Sequence, residues 1–290
     1  MKATQITIAL VAAFAAFAVQ AQSLTRPGVD AGNINARGTV NGAITQIGGG
    51  ALVLLNGRGG QDLAPGGGSI LSGGQNARVG GVSGDIQANR ISANGTVNGA
   101  ITQLRVGALE GGNEQLASIG SVGNTTANNV TVNGTVTGVV LQSGGSAASG
   151  FNVQALQVGG VDDVTANNVT ANGALIGTST QLSLGALAGN TEQVSVIGGA
   201  RRVDANNLTL NGTLRGALLQ VGANVGSAFN TQVINVGGAH NARARNINAT
   251  GTVNGFLNQI GGNVGVNGSV QSAVVGGVQG ATVSGNDEPQ

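Results

Sequence analysis

The sequence predicts an all-β fold, a repetitive β-solenoid of about six units, and three observations carry that expectation. Glycine supplies 54 of the 290 residues, while aromatic residues make up 2% and charged residues 8%. Short alternating apolar runs, separated by Asn-Gly, Gly-Gly and Ser/Ala/Gly stretches, occupy most of the chain. These runs recur every 39 residues. Large side chains are too scarce for an ordinary globular core. Disorder fits poorly as well, because disordered chains are rich in Pro and charge and this one has three Pro. Thin, regularly layered β structure suits such a composition.

The chain opens with the pattern of an export signal at 1–21. Lys2 provides the positive start, 6–19 (ITIALVAAFAAFAV) the apolar stretch, and Val19-Gln20-Ala21 a small-residue cleavage site. The apolar run is short for a membrane span, which needs about 20 residues. The mature protein is therefore expected to be secreted, at the surface of or outside a bacterial cell, with no membrane segment. Residues 22–36 (QSLTRPGVDAGNINA) read as an N-terminal segment able to add a strand to a neighbour.

The repeats occupy 37–285. Gly95, Gly134, Gly173, Gly212 and Gly251 follow one another at intervals of 39 residues, whereas Gly38 precedes Gly95 by 57. The extra length points to a Gly-rich insertion at about 51–74. Gln46, Gln103, Gln142, Gln181, Gln220 and Gln259 close the same phrase in every unit. A second column holds Gln115, Gln154, Gln193, Gln232 and Gln271, and a glycine column (Gly120, Gly159, Gly198, Gly237, Gly276) ends each unit. Several columns in one register mark a stacked repeat. Within a unit, NVTV, GTVTGVVLQ and NVQALQV alternate with period two and carry β-branched residues, the strand signature. Gly and Asn are then expected at corners needing positive φ, with Gly95, Gly134, Gly173, Gly212 and Gly251 as turn positions. VVLQSGG (139–145) and QALQVGG (154–160) look like unequal half-repeats. One wide coil per unit and two coils per unit both remain open. The last residues, 286–290, form a polar tail.

The Gln columns have a physical rationale. Neighbouring strands lie about 4.8 Å apart, so identical side chains can form ladders, each amide donating to one neighbour and accepting from the other. A solvated corner is the competing reading. Identity at every unit beside varying neighbours (Ile47, Leu104, Ser143, Val221) favours the ladder.

Charge and chemistry exclude several classes. Lys2 is the only lysine, so removal of 1–21 leaves a formal net charge of zero. That speaks against nucleic acid as a partner, and near-zero charge favours self-association. There is no cysteine and one histidine, His240, so disulfides, His clusters and His-based triads in one chain are not expected. His240 reads as a surface turn residue. Asp162-Asp163 reads as a solvated turn, since adjacent strand residues face opposite ways. No enzyme activity, cofactor or metal site is expected.

The stretches 259–271 (QIGGNVGVNGSVQ) and 220–232 (QVGANVGSAFNTQ) resemble the curlin-type repeat of secreted bacterial functional-amyloid fibres. The resemblance implies stacked strand-turn-strand units. Gln220, Gly222, Asn224 and Gln232, and likewise Gln259, Gly261, Asn263 and Gln271, would be their ladder and turn positions. It covers part of each unit, and 103–115, 142–154 and 181–193 lack the matching Asn. It implies extracellular fibre formation. The expected function is thus that of a structural subunit of a self-assembling filament or biofilm-matrix fibre. Its partners would be further copies of itself, joined through end-rung strand addition, and a dedicated export machinery. The alternative is a monomeric surface-binding solenoid, an adhesin or an ice-binding module.

Overall fold

A computed structural model describes residues 29–50, 74–107, 112–146, 151–186, 191–225, 229–264, 269–280 and 282–283. The expected signal at 1–21, residues 22–28, nearly all of the insertion and the tail at 286–290 lie outside the described residues. Within them the chain is a parallel β-solenoid. Its strands are β1 (Val29–Gly50), β2 (Gly74–Val79), β3 (Val82–Gly107), β4 (Gly112–Ile119), β5 (Val122–Ser146), β6 (Phe151–Val158), β7 (Val161–Ala186) and β8 (Thr191–Ile197). They continue as β9 (Ala200–Val225), β10 (Asn230–Val236), β11 (Ala239–His240), β12 (Arg243–Val264), β13 (Ser269–Val275), β14 (Val278–Gln279) and β15 (Thr282–Val283).

Long and short strands alternate and form two sheets. The long ones stack in the order β1-β3-β5-β7-β9, with β12 next on β9, and the short ones as β2-β4-β6-β8-β10-β13. Every pairing is parallel. Gly95 pairs with Gly134, Gly134 with Gly173 and Gly173 with Gly212, so each 39-residue repeat is one wide coil. The half-repeats are the two walls of that coil and not separate turns. The solenoid makes about four full turns, from β3 to β10, each enclosed above and below. The expected count of about six units included the stretches at either end, which are stacked on one side only.

Residues 29–36, part of the segment expected to add a strand to a neighbour, belong to β1. They pair in register with β3, Val29 with Ile86 through Ala36 with Ala93, and Ile34 and Ala36 are buried. This segment is the first rung of the chain's own solenoid, because its alternating apolar residues reach the same core as those of later coils.

Alternation along each long strand sends Val, Leu, Ile and Ala inward. The buried residues separate into two cores. In one coil, Val122, Ala127, Val130 and Val132 belong to the first core, and Val136, Val140, Leu156 and Val158 to the second. Glycine makes the division. At the end of each short strand the chain turns at Gly80, Gly120, Gly159, Gly198, Gly237 or Gly276, with φ between 55° and 61°. The turn touches the middle of a long strand: a Cβ on Gly159 would overlap the Asn172 carbonyl, and one on Gly134 would overlap the Gly159 amide and the Ile119 carbonyl. The turns themselves form a ladder, with Gly159 N–H donating to Ile119 O at 2.8 Å and Gly198 N–H to Val158 O at 2.9 Å.

The expected turn positions therefore need correction. Gly95, Gly134, Gly173, Gly212 and Gly251 are not positive-φ corners. They lie within strands, where two backbones meet too closely for any side chain. Most Asn corners are likewise not left-handed. Among the described residues, the non-glycine residues with positive φ are Asn124, Asp163, Arg202 and Asn241, a single column at 39-residue spacing.

A Gly159→Ala substitution combines an unfavourable φ with a backbone overlap, so it should lower stability by about 3 kcal/mol or more. Gly123→Ala, whose Cβ would meet nothing closer than 3.4 Å, should change it by less than about 1 kcal/mol. Urea unfolding followed by circular dichroism separates the two. Equal effects would show that the glycine waist does not constrain the coil.

Candidate functional site

The structure brings the eleven predicted glutamines together in two vertical ladders facing each other across the second core. Gln46, Gln103, Gln142, Gln181, Gln220 and Gln259 stand on the long strands. Gln103 Nε2 donates to Gln46 Oε1 at 2.7 Å, and the same bond joins Gln142 to Gln103, Gln181 to Gln142 and Gln220 to Gln181, each at 2.7 Å. Gln259 donates to Gln220 at 2.9 Å. The short strands carry the second ladder: Gln154 donates to Gln115 and Gln193 to Gln154, each at 2.9 Å, and Gln232 to Gln193 and Gln271 to Gln232, each at 2.7 Å.

Each amide has a second N–H, which crosses to the opposite wall. Gln142 donates to Ala155 O at 2.9 Å and Gln181 to Val194 O at 3.1 Å. In the other direction Gln154 donates to Leu182 O at 2.8 Å and Gln193 to Val221 O at 3.0 Å. The two sheets are thus cross-braced at every level. Gln103, Gln142, Gln181, Gln193, Gln220 and Gln232 are all fully buried, where an unpaired amide would be costly. A solvated corner is ruled out for these positions.

Gln75 belongs to the second ladder and escapes the spacing rule. It accepts from Gln115 at 3.0 Å and lies 40 residues before it, because β3 carries an irregularity between Ser83 and Ile86. The phrase Val79-Gly80-Gly81-Val82, matching Val158-Gly159-Gly160-Val161, is the signal that would have found it. Asparagines build further ladders on the outer surface. Asn128 donates to Asn89 at 2.8 Å, Asn168 to Asn129 at 3.0 Å and Asn133 to Asn94 at 2.8 Å. At the curlin-like positions, Gln220 and Gln232 are ladder residues on facing walls. Buried Asn224 donates to the Thr191 hydroxyl, and Asn230 donates to Gly222 O at 2.9 Å. The side chain of Asn263 lies outside the described set, while Gln259 and Gln271 end the two ladders.

One charged stack is built into the wall of the coil. Asp162-Asp163 lies directly beneath Arg201-Arg202. Arg201 binds Asp162 at 2.8 Å and Glu192 at 3.0 Å, and Arg202 reaches Asp163 at 2.7 Å. Asp162 is buried, so the solvated-turn reading fails for it: stacking at 39 residues supplies the counter-charge that sequence neighbours do not. Burial alone would weaken the Arg201 guanidinium's hold on its proton. Hydrogen bonds and charge from Asp162 and then Glu192 outweigh that effect and push its pKa up. His240 is half-buried in β11, paired in register with Arg201 and Gln279, so it is a rung residue and not a free surface turn. Burial also raises the Glu114 carboxyl above its ordinary value.

Among the described residues, no group of three or more His, Cys, Asp or Glu could hold a metal ion, and no helix is long and apolar enough to cross a membrane. What the ladders can do is join strands, and the end rungs leave that capacity open. Among the described residues β1 pairs only with β3, and β12 pairs on its far side only through Arg243 and Ala244. The chain matches no known family, and no curated protein or solved structure is detectably similar to it.

Replacing Gln142 with Leu would strand the Gln103 Oε1 acceptor and a Gln181 N–H inside the wall. Stability should fall by about 2–4 kcal/mol, against about half that for Gln259→Leu at the end of the ladder, which strands only the Gln220 Oε1; chemical unfolding midpoints compare them. Glu114→Gln should raise the melting temperature at pH 7. The folded pKa of Glu114 is raised, so its ionisation disfavours the fold as pH rises through that value. The advantage of the Gln variant should vanish below the ordinary carboxyl pKa of 4.5. A pH-independent difference would assign it to packing instead.

Proposed function

We propose that this chain is an exported structural subunit that stacks end to end into an extracellular filament or matrix fibre. One observation carries the reading: its two ends present the same columns with complementary hydrogen-bonding polarity. The first rung reads Gly38-Thr39-Val40-Asn41-Gly42 and the last Gly251-Thr252-Val253-Asn254-Gly255. Every ladder bond points from a glutamine Nε2 to the Oε1 of the preceding coil. Among the described residues Gln46 and Gln75 therefore each keep one N–H unused after donating to Asn76 O and Leu104 O. Gln259 and Gln271 keep an Oε1 that receives no donor among the described residues. A second copy placed on β12 would continue both ladders, Gln46 onto Gln259 and Gln75 onto Gln271.

Such a head-to-tail contact does not close on itself and generates an open fibre. The free backbone edges supply the rest of the driving force. The half-buried Val253 and Leu257 of the last rung, which pack on the second core from one side, would be covered by Val40 and Ile44 of the next copy. The homopolymer partner, the export route and the biofilm context belong to this proposal, as does kinship with curlin-type fibres. The outer array of Thr131, Thr170 and Thr209, in register on successive strands, favours the second reading, a monomeric adhesin or ice-binding module.

Purified protein from Gln22 onward should form fibres visible by electron microscopy, with strands perpendicular to the fibre axis and a repeat near ~4.8 Å along it. Val253→Lys with Leu257→Lys should keep the β circular dichroism and abolish elongation. Protein that stays monomeric at high concentration would overturn the filament and leave the binding module.

A further inference from the structure

One lateral face of the solenoid is apolar and uncharged along its whole length. It is the outer side of the long strands beyond the positive-φ glycines Gly42, Gly99, Gly138, Gly177, Gly216 and Gly255. Residues 43–49, 100–106, 139–145, 178–184, 217–223 and 256–262 contain no Asp, Glu or Lys and a single Arg, Arg105, which is buried. Their outward positions include Ile47 (72% exposed), Leu104 (38%), Val139 (49%), Leu141 (37%), Leu184 (48%) and Ile260 (51%). The first half of the same sheet is different: its outer side holds laddered Asn, Thr and the Arg202 and Asp204 charges. Alternation alone calls for polar residues on an exposed sheet face, so apolar residues in several coils mark a surface that is covered.

We propose that this face pairs with the same face of a second copy of the chain, so that two solenoids pack sheet on sheet. Six strands about 4.8 Å apart, with three to four outward positions about 6.8 Å apart, present roughly 600 Å² per copy. Two such faces bury about 1,200 Å², the lower bound of specific interfaces. The contact is self-complementary, as a two-fold pair requires, and Thr102, Thr178 and Thr180 between the larger residues leave room for interdigitation of the kind that dries paired sheets. A lipid surface fits less well. Interfacial binding draws on Trp, Tyr and cationic side chains; the chain has no Trp or Tyr, and this face has no cation.

The pairing goes beyond end-to-end stacking and does not depend on it, and the two can fail separately. Leu141→Lys with Leu184→Lys leaves both end rungs intact. In the full chain it should convert double-width fibres into single-width ones, read as a halved mass per length in electron microscopy. In the elongation-blocked background of Val253→Lys and Leu257→Lys, sedimentation should show a dimer that the face substitutions weaken at least tenfold. Leu141→Thr should weaken it less while certainly fitting the fold, since Thr102 and Thr180 occupy the adjacent positions of that column. Deleting 51–73 should leave pairing unchanged. Fibres or dimers of unaltered mass in the Lys variants would overturn the proposal. So would pairing strengthened by the deletion, which would make that segment the occupant, or co-sedimentation with phosphatidylcholine vesicles that the Lys variants abolish.

Discussion

A primary amide buried in the wall of this solenoid has two hydrogens and a carbonyl oxygen to satisfy, and only the coils above and below can complete the set. Gln142 illustrates the constraint. Its Nε2 serves Gln103 and the Ala155 carbonyl, and its Oε1 accepts from Gln181. Any slip of one residue between coils would turn the column outward and leave each amide facing an apolar side chain. The ladders therefore set the register of the long sheet, the register of the short sheet and the distance between them. A chain with two per cent aromatic residues cannot obtain that rigidity from large interlocking side chains, and hydrogen-bonded columns take their place.

The glycine waist follows from the same economy of volume. With cores lined by Val, Leu, Ile and Ala, a wide coil would collapse or leave voids unless its walls came together somewhere. They meet where the Gly159 turn touches Gly134, and the interior becomes two narrow cores that small side chains can fill. Positive φ is needed on one side of that contact and absence of a Cβ on the other. Two glycine columns thus serve one contact for two different reasons.

Identical coils also carry a hazard, since a shift by a whole coil preserves almost every ladder. The Asp162-Asp163 and Arg201-Arg202 stack occurs at one level only. A shifted pairing would leave Asp162 buried without its cation, a costly arrangement. The stack acts as a register mark in an otherwise repetitive column. At the termini the ladder groups of the end glutamines stay open among the described residues. The complementary polarity of those end groups is what the stacking proposal draws on.

The repeat length, the parallel stacking and the glutamine columns were legible in the sequence because a 39-residue period places equivalent side chains over one another whatever the coil's shape. The shape itself was not. Whether Gly95 or Gly99 takes the positive φ depends on which backbone comes near, and the two Asn-Gly steps are alike as text. Gln75 was hidden by one irregularity in β3, which moves its column by a single residue. Asp162 reads as exposed until Arg201 is set above it, one full coil later. The sequence alone determined what repeats and what must pair; only the tertiary structure decided where the walls touch, because that contact joins residues whose proximity no local rule encodes.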